Sequence, residues 1–433
     1  MVSMSLRDGR APTSSKQAKF GKDLRLAKKE RRKRRWKRRL TATEALRRVI
    51  AVLFPLMVMA LAKEFPEKTL KDSCRLIVKA GLENTTLTAA RENAKRGKSR
   101  RQLWRPLENL SKRKLQRAIT TTIREQVRPW LPKGAVDLAI DLHLIPYAGI
   151  TSLTSRLLRS QAKQGTNRFH GYSTAYIAYE DHRFSIGCRW ILTRKHLFRV
   201  IEKHLKEAEA LGLKVRRLLL DREFYCYEVA VFLAERGIAY IMPPRSGKKM
   251  EAKWKRGRRS YTTKHTLKSP DRKKSIEVTI QIVVRYKRGR IRGERGAEYL
   301  SYVVGGRVLP PKQTRELYRR RFGIETSYRK AEEGRPRTNS HDPSVRFLFF
   351  AVSVVVENEW VIMKLIYASE RRLGRKGYAV RTELLRFGRL AGMLLTAVRK
   401  IHGDVVEVSA EGPPPRWVAL IVTTELRERM AND

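Results

Sequence analysis

The stretch AVDLAIDLHL, residues 135–144, decides the fold more than any other part of the chain. Its apolar residues alternate with small or polar ones, which is the period-two pattern of a β-strand with two different faces. The alternation puts Asp137, Asp141 and His143 on one face of the predicted strand. Carboxylates on an otherwise apolar strand are the first candidates for functional side chains.

Strands and helices alternate after this strand. Strands are predicted over 171–179 and 183–192, then a helix over 195–211, a short aliphatic strand over 215–220 that runs into Asp221, a helix over 225–236 and a strand over 238–242. This order predicts an α/β fold with a mixed sheet and covering helices. A basic, strand-rich segment over 246–306 is read as a β-rich insertion, and helices are predicted again over 311–331 and 345–368.

Charge is the strongest global signal. The chain has 96 Lys and Arg against 42 Asp and Glu, a formal net charge of +54. Self-repulsion of this size is tolerated when a polyanion neutralises it, so nucleic acid is the predicted partner. Heat adaptation is a poorer explanation, because it raises the number of Glu residues together with Lys and Arg. In this chain Asp and Glu are far fewer than Lys and Arg.

The location predicted from composition is a reducing cytoplasm, in association with the nucleoid. The three cysteines are widely separated, so neither a disulfide framework nor a zinc site is indicated. Two apolar runs, 49–62 and 347–356, are shorter than the roughly 20 residues that a membrane span requires, and no secretory signal is evident. We therefore expect no membrane partner.

The ends of the chain differ in composition from its middle. Residues 1–40 are predicted to be a disordered basic arm, and 41–133 a helical DNA-binding domain with helices over 70–81, 87–94 and 107–127. A capping pattern, Thr41 followed by Glu44, predicts a further helix at the start of that domain. The catalytic domain is assigned to 134–245 and 307–370, and a helical C-terminal region to 371–433.

Isolated carboxylates carry the candidate chemistry. The sequence has no Walker loop, GxSxG elbow or HExxH motif. The acids singled out are Asp141, Asp221 and Glu325, the last in a strongly basic helix. Taken singly, an Asp at a strand end is more often a turn or cap residue. Together, acids converging from separate elements suit Mg²⁺, and two such ions support phosphodiester chemistry.

Three blocks of sequence resemble the Asp-Asp-Glu transposases of prokaryotic insertion sequences, especially the insertion-sequence-four branch. They are AIDLHLIPYAG with Asp141, LLLDREFYCYEVAVFLAERGIAYIMPPR with Asp221, and YRRRFGIETSYRK, in which Tyr318, Arg321 and Glu325 match the most specific motif. The family motif continues with a Lys seven positions after the Glu, where this chain has Glu332, with Arg329 and Lys330 nearby.

The resemblance implies a ribonuclease-H-like fold and a transposase with two Mg²⁺ or Mn²⁺ ions. Asp141, Asp221 and Glu325 would hold the metal and catalyse cleavage at transposon ends and strand transfer into target DNA. The residues expected to contact DNA are Tyr318, Arg321, Arg329, Lys330 and Arg222. The protein would act as a homodimer or larger assembly on DNA.

Several alternatives stay open at this point. Asp137 is the first substitute if Asp141 is the wrong acid, and both Asp137 and His143 are also compatible with structural roles. Core packing is the alternative for Tyr318, and a solvated helix face for Arg321. Glu223 could cap the next helix, and Trp190 and Tyr225 could stack on an exposed base or pack in the core. The alternative functions are a catalytically inactive DNA-binding relic and a nuclease without strand transfer.

Overall fold

The computed structural model describes residues 40–61, 63–108, 110–132, 134–154, 156–179, 182–254, 259–286, 297–322, 329–371 and 378–402. Nearly all of the predicted basic arm and the motif residue Glu325 therefore lie outside the described residues. None of the helices in these ranges is both long enough and apolar enough to cross a membrane.

Helices form the first part of the described chain. They are α1 Ala42–Ala60, α2 Glu67–Leu82, α3 Leu87–Glu92, α4 Arg100–Glu108 and α5 Lys112–Val127. The predicted cap of α1 is confirmed, because the Thr41 hydroxyl accepts a hydrogen bond from Glu44 N at 3.1 Å. The single helix predicted over 107–127 is wrong. Helix α4 ends at Glu108, and Ser111 caps a separate helix, α5.

A nine-stranded mixed sheet follows, which confirms the predicted fold class. Its strands are β1 Ala135–Pro146, β2 Leu158–Lys163, β3 Thr166–Tyr179, β4 His182–Ile191, β5 Lys214–Leu220, β6 Tyr240–Met242, β7 Tyr261–Lys268, β8 Ser275–Tyr286 and β9 Ala297–Gly305. The strand order is β2-β3-β1-β5-β6-β9-β8-β7, and β4 also pairs with β3. β1 lies between antiparallel β3 and parallel β5.

The strands of the 246–306 segment continue the same sheet. β9 pairs antiparallel with β6, and β8 and β7 follow outward to the edge. The remaining helices are α6 Leu197–Ala210, α7 Tyr227–Glu235, α8 Lys248–Trp254, α9 Pro311–Arg319, α10 Pro343–Tyr367 and α11 Phe387–His402, with a short hairpin of β10 Ser369–Arg371 and β11 Tyr378–Val380 before α11.

The two faces of the sheet are covered differently. Leu138 and Ile140 of β1 point into the larger core, which includes α6 and α7 residues. Ala139, on the face that also carries Asp141, packs in a smaller cluster with Tyr318 of α9. The alternation in β1 therefore separates a structural face from the face that carries the candidate acids.

Helix α10 joins the N-terminal helices to the sheet. Its first half packs in one core with α1, α2 and α5. Glu359 pairs with Arg48 of α1 at 2.7 Å, and the side chain of Asn358 hydrogen-bonds both to the backbone N–H and to the carbonyl of Ser185 in β4. These buried polar contacts set the position of α10 against both layers, because leaving them unmade costs the desolvation of each group.

Candidate active site

Strands β1 and β5 bring the first two candidate acids together. They are parallel neighbours with Ile140 opposite Leu220, so the next residues, Asp141 and Asp221, lie at the same level of the sheet. Asp141 is buried, and the side chain of Asp221 is 28% exposed. One carboxylate is thus held within the sheet, and the other stands at a strand end that solvent can reach.

Arg321 lies between the two carboxylates. Its Nη2 is 2.8 Å from Asp221 Oδ1 and 3.4 Å from Asp141 Oδ1, so these two oxygens are at most 6.2 Å apart. Asp141 Oδ1 also accepts a hydrogen bond from Leu142 N at 2.8 Å. Arg321 itself is buried. The guanidinium offsets the repulsion between two acids that face a common point.

Tyr318, one helical turn before Arg321, is buried rather than placed on a DNA-facing surface. Its hydroxyl donates to the carbonyl of Leu220 at 3.2 Å, immediately before Asp221, and its ring lies 5.6 Å from the Arg321 guanidinium. Burial raises the pKa of Tyr318 well above its ordinary value, so the hydroxyl stays a neutral donor. This placement favours the core-packing alternative and gives Tyr318 a role in positioning the end of β5.

The other predicted DNA-binding residues lie in different surroundings. Arg222, directly after Asp221, and Arg329 are exposed. Lys330 is half-buried and donates to Glu333 at 2.7 and 2.9 Å. The third predicted acid, Glu325, falls outside the described residues.

Asp137 is occupied by ion pairs of its own. It is buried on the same strand as Asp141, but accepts a hydrogen bond from Arg216 at 2.9 Å and lies 3.9 Å from Arg217 and 4.0 Å from Arg320. The hydrogen bond to Asp137 raises the pKa of Arg216. These contacts favour a structural role, and they separate Asp137 from the Asp141 and Asp221 pair.

His143 and Glu332 form a second cluster beside the acids. His143 Nε2 is 2.8 Å from Glu332 Oε1, its ring stacks on Phe350 at 5.4 Å, and Arg335 donates to Glu332 at 2.7 Å. Burial opposes ionisation of Glu332, yet the His143 hydrogen bond and the Arg335 charge lower its pKa to about 2. The residue at the family's Lys position is therefore an ionised carboxylate, paired with Arg335 and in contact with His143.

Two smaller predictions also have clear outcomes. Glu223 does not cap α7: the N-cap residue is Cys226, with no side-chain cap, because Glu223 points to Arg194 at 3.4 Å instead. Tyr225 is buried in the core, and Trp190 is half-buried against Phe347, with ring centroids 6.1 Å apart. Both aromatic residues thus match the packing alternative.

A hydrogen-bonded network of a serine, a histidine and a glutamate was not predicted from the sequence. The Ser173 hydroxyl is 2.9 Å from His204 Nε2, and His204 Nδ1 is 2.6 Å from Glu207 Oε2. The spacing of His204 and Glu207 on one helix is visible in the sequence, but their meeting with β3 is not. Ser173 and His204 are fully buried, so no substrate reaches this hydrogen-bonded network. The network stabilises the packing of α6 on the sheet.

The site and fold together define a class: a ribonuclease-H-like protein with one acid within a central strand and a second acid at the end of the neighbouring parallel strand. The sequence matches the family model for the transposase DDE domain over residues 132–355, just over half of the chain, and the chain belongs to this family. No curated protein matches it. The family implies a transposase that acts on DNA by phosphodiester cleavage or transesterification, and its members generally use divalent metal ions.

Proposed function

We propose that this transposase cleaves DNA at the ends of its own element and joins the freed ends to target DNA, as a member of the insertion-sequence-four branch. One observation carries the proposal: Asp141 and Asp221 lie side by side on parallel strands, with Arg321 within 3.4 Å of both. Carboxylates paired in this way suit catalysis by position and charge, with no covalent intermediate on the protein.

The donor set fits Mg²⁺ or Mn²⁺. These ions prefer oxygen ligands and usually take one or two carboxylates together with water and substrate phosphate. No group of three or more His, Cys, Asp and Glu side chains suited to a metal occurs within the described ranges, which exclude Glu325. We assign Asp141, Asp221 and Glu325 as the ligands of two ions. When bound, such ions activate the attacking oxygen and stabilise charge on the leaving oxygen.

The proposed reaction has two steps, and neither needs a reactant other than water and DNA. In the first, water adds to the phosphorus at a transposon end, one P–O bond breaks, and a 3′-hydroxyl is left. In the second, that hydroxyl attacks a target phosphodiester, so one P–O bond forms and one breaks. Joining two ends in one event requires both to be held together, which supports a dimer or larger assembly on DNA.

The surrounding residues of this chain have separate roles in the proposal. Arg321 holds the two carboxylates at a common point, and Tyr318 fixes the carbonyl that precedes Asp221. Arg222, directly after Asp221 in the chain, and Arg329 are exposed and are suited to phosphate contact, because a guanidinium offers paired donors to phosphate oxygens.

The test is cleavage and strand transfer on DNA that carries the element's own ends, with Mg²⁺ or Mn²⁺. Asp141→Asn and Asp221→Asn should each abolish both steps while DNA binding persists. Asp137→Asn is the matched control, since this buried acid on the same strand pairs with arginines and should leave the reaction intact.

The outcomes separate the alternatives. Activity in Asp141→Asn but not in Asp137→Asn would reverse the assignment of the first acid. Cutting without joining would identify a nuclease of the same fold, and DNA binding by the parent without any reaction on correct ends would favour a binding-only relic.

A further inference from the structure

A basic cleft lies where the end of α10 meets the start of α11, and all of its lining residues except Lys330 lie beyond the residues that match the family model. It has a volume of about 830 Å³ and is lined by Lys330, Trp360, Lys364, Glu383, Arg386 and Arg389, among others. Four of these six side chains are cations and one is an acid. Neither the candidate active site nor the family match accounts for this concentration of charge.

Lys364 is the unusual residue of the cleft. The residue is only 8% exposed, and its Nζ lies 3.7 Å from the centroid of the Trp360 ring. Within the part of the chain that the structure describes, Lys364 has no hydrogen bond or ion pair from its ammonium group. Burial lowers the pKa of Lys364 to about 8, with Glu357 raising it and Arg183 lowering it further. Burying an ammonium group that makes no direct ion pair is costly, and an anion in the cleft would reduce that cost.

The N-terminus of α11 opens at the same cleft. The helix is 16 residues long, begins at Phe387 and has no acidic residue in its first turn. The residue before it is Arg386, which has no side-chain oxygen to accept a hydrogen bond from the first N–H groups. A Cβ built on Gly388 would meet nothing within 4 Å, so the backbone here is open to a ligand. Uncapped helix N-termini attract anions, above all phosphate.

The acid of the cleft does not neutralise its cations. Glu383 is exposed and forms an ion pair with Arg381, whose side chain approaches it closely. Lys330 is held by Glu333. Arg386 and Arg389 are exposed at the rim, and Lys364 lies below them.

We propose that this cleft binds a backbone phosphate of DNA, with Lys364 at its base, Arg386 and Arg389 at its rim and the N–H groups of α11 completing the site. This inference rests on the proposed function, since it adds a DNA contact to the same enzyme. The chain's net charge of +54 favours a polyanion such as DNA over a small anion.

The test compares full-length variants in equilibrium binding to a labelled DNA duplex of arbitrary sequence across a salt series, without metal. Lys364→Met removes the buried charge, and Lys364→Arg restores it. Arg386→Asp supplies a carboxylate where the helix needs a cap, so it should keep or raise the thermal stability while repelling phosphate. Lys400→Asp is the matched control, because it makes the same charge change on the same helix about 20 Å away.

We expect Lys364→Met and Arg386→Asp to weaken binding and to reduce the slope of log K against log salt by about 0.9, the value for one lost phosphate contact. Lys364→Arg should recover most of the slope, and Lys400→Asp should change it less than Arg386→Asp does. Parent-like slopes in both Lys364→Met and Arg386→Asp would overturn the inference while leaving the proposed function intact.

A second measurement separates DNA from free phosphate. If inorganic phosphate raises the melting temperature of the parent but not of Lys364→Met, while DNA binding is the same in both, the cleft is a small-anion site and the inference fails. A parent protein that does not bind DNA at all would contradict both the proposed function and this inference.

Discussion

Arg321 and Asp221 form a close ion pair within the candidate active site, with Nη2 and Oδ1 2.8 Å apart, although 100 residues separate them in the sequence. The same nitrogen lies 3.4 Å from Asp141. The arginine of the family motif therefore contacts both candidate acids directly. Its burial explains why a solvated helix face is the wrong description of this residue.

Replacing Arg321 by Met should destabilise the fold by roughly 2–4 kcal/mol, because two acids lose the cation that lies between them. Part of that loss should be recovered by Mg²⁺ or Mn²⁺, since a ligand that binds only the folded state stabilises it. Thermal unfolding with and without metal checks this. Arg320→Met, an exposed neighbour 4.0 Å from Asp137, is the control and should change little. Equal metal shifts in parent and Arg321→Met would contradict the role assigned to the site.

Glu332 should make stability depend on acid pH. Its pKa in the folded protein is about 2, below the ordinary value of 4.5, so the folded state favours the ionised form. The contribution is present above about pH 4.5 and is lost as the pH falls toward 2. Because Glu332 is about one-third exposed, we expect only about 1–2 kcal/mol. Chemical denaturation of the parent and Glu332→Gln at pH 6 and pH 3 should show the larger difference at pH 6. Glu333→Gln serves as the exposed neighbour.

Restoring the family's lysine at position 332 should harm the protein. Glu332→Lys would set a cation against Arg335, which now pairs with the carboxylate, and would remove the carboxylate that contacts His143. We expect lower stability than for Glu332→Gln, and no gain in strand transfer. A rise in transposition activity, measured on the element's own ends, would show that this position still serves the family's function.

Lys364→Met should stabilise the protein at neutral pH. The folded protein lowers the pKa of Lys364 to about 8 from 10.5, so the unfolded chain binds more protons between these values and stability rises with pH across that window. Removing the amine should add about 2–3 kcal/mol at pH 7 and flatten the rise from pH 8 to 10. Denaturation over this pH range measures both effects. An unchanged pH profile in Lys364→Met would mean that its pKa is ordinary.

Gly187→Ala should disrupt the buried hydrogen-bonded network of Ser173, His204 and Glu207. A Cβ at this glycine would lie 2.2 Å from Glu207 Oε2 and 2.7 Å from His204 Nδ1. We expect a loss of about 1–3 kcal/mol in the free energy of unfolding, as for other overpacked positions. Gly392→Ala, with open space at a helical position, should instead be neutral or stabilising. A Gly187→Ala protein as stable as the parent would show that this hydrogen-bonded network can rearrange without loss of stability.

The sequence alone determined the features that depend on neighbours along the chain. Alternation in 135–144 predicted β1 and the face that carries Asp141, and the aliphatic run before Asp221 predicted β5, because strand periodicity is local. The helix caps and the excess of positive charge are readable in the same way. The break before Ser111 was missed because apolar spacing continues across it while a cap competes locally with the helix.

Only the tertiary structure decided which side chains meet. Three contacts depend on strand register and helix packing across long separations: the pairing of Arg321 with both acids, the burial of Tyr318 under the end of β5, and the contact of His143 with Glu332. The same holds for Lys364, whose sequence context is that of an ordinary helical lysine and whose burial beside Trp360 is seen only in the structure. Sequence periodicity fixes the face of an element, whereas desolvation and charge pairing are set by what packs against that face.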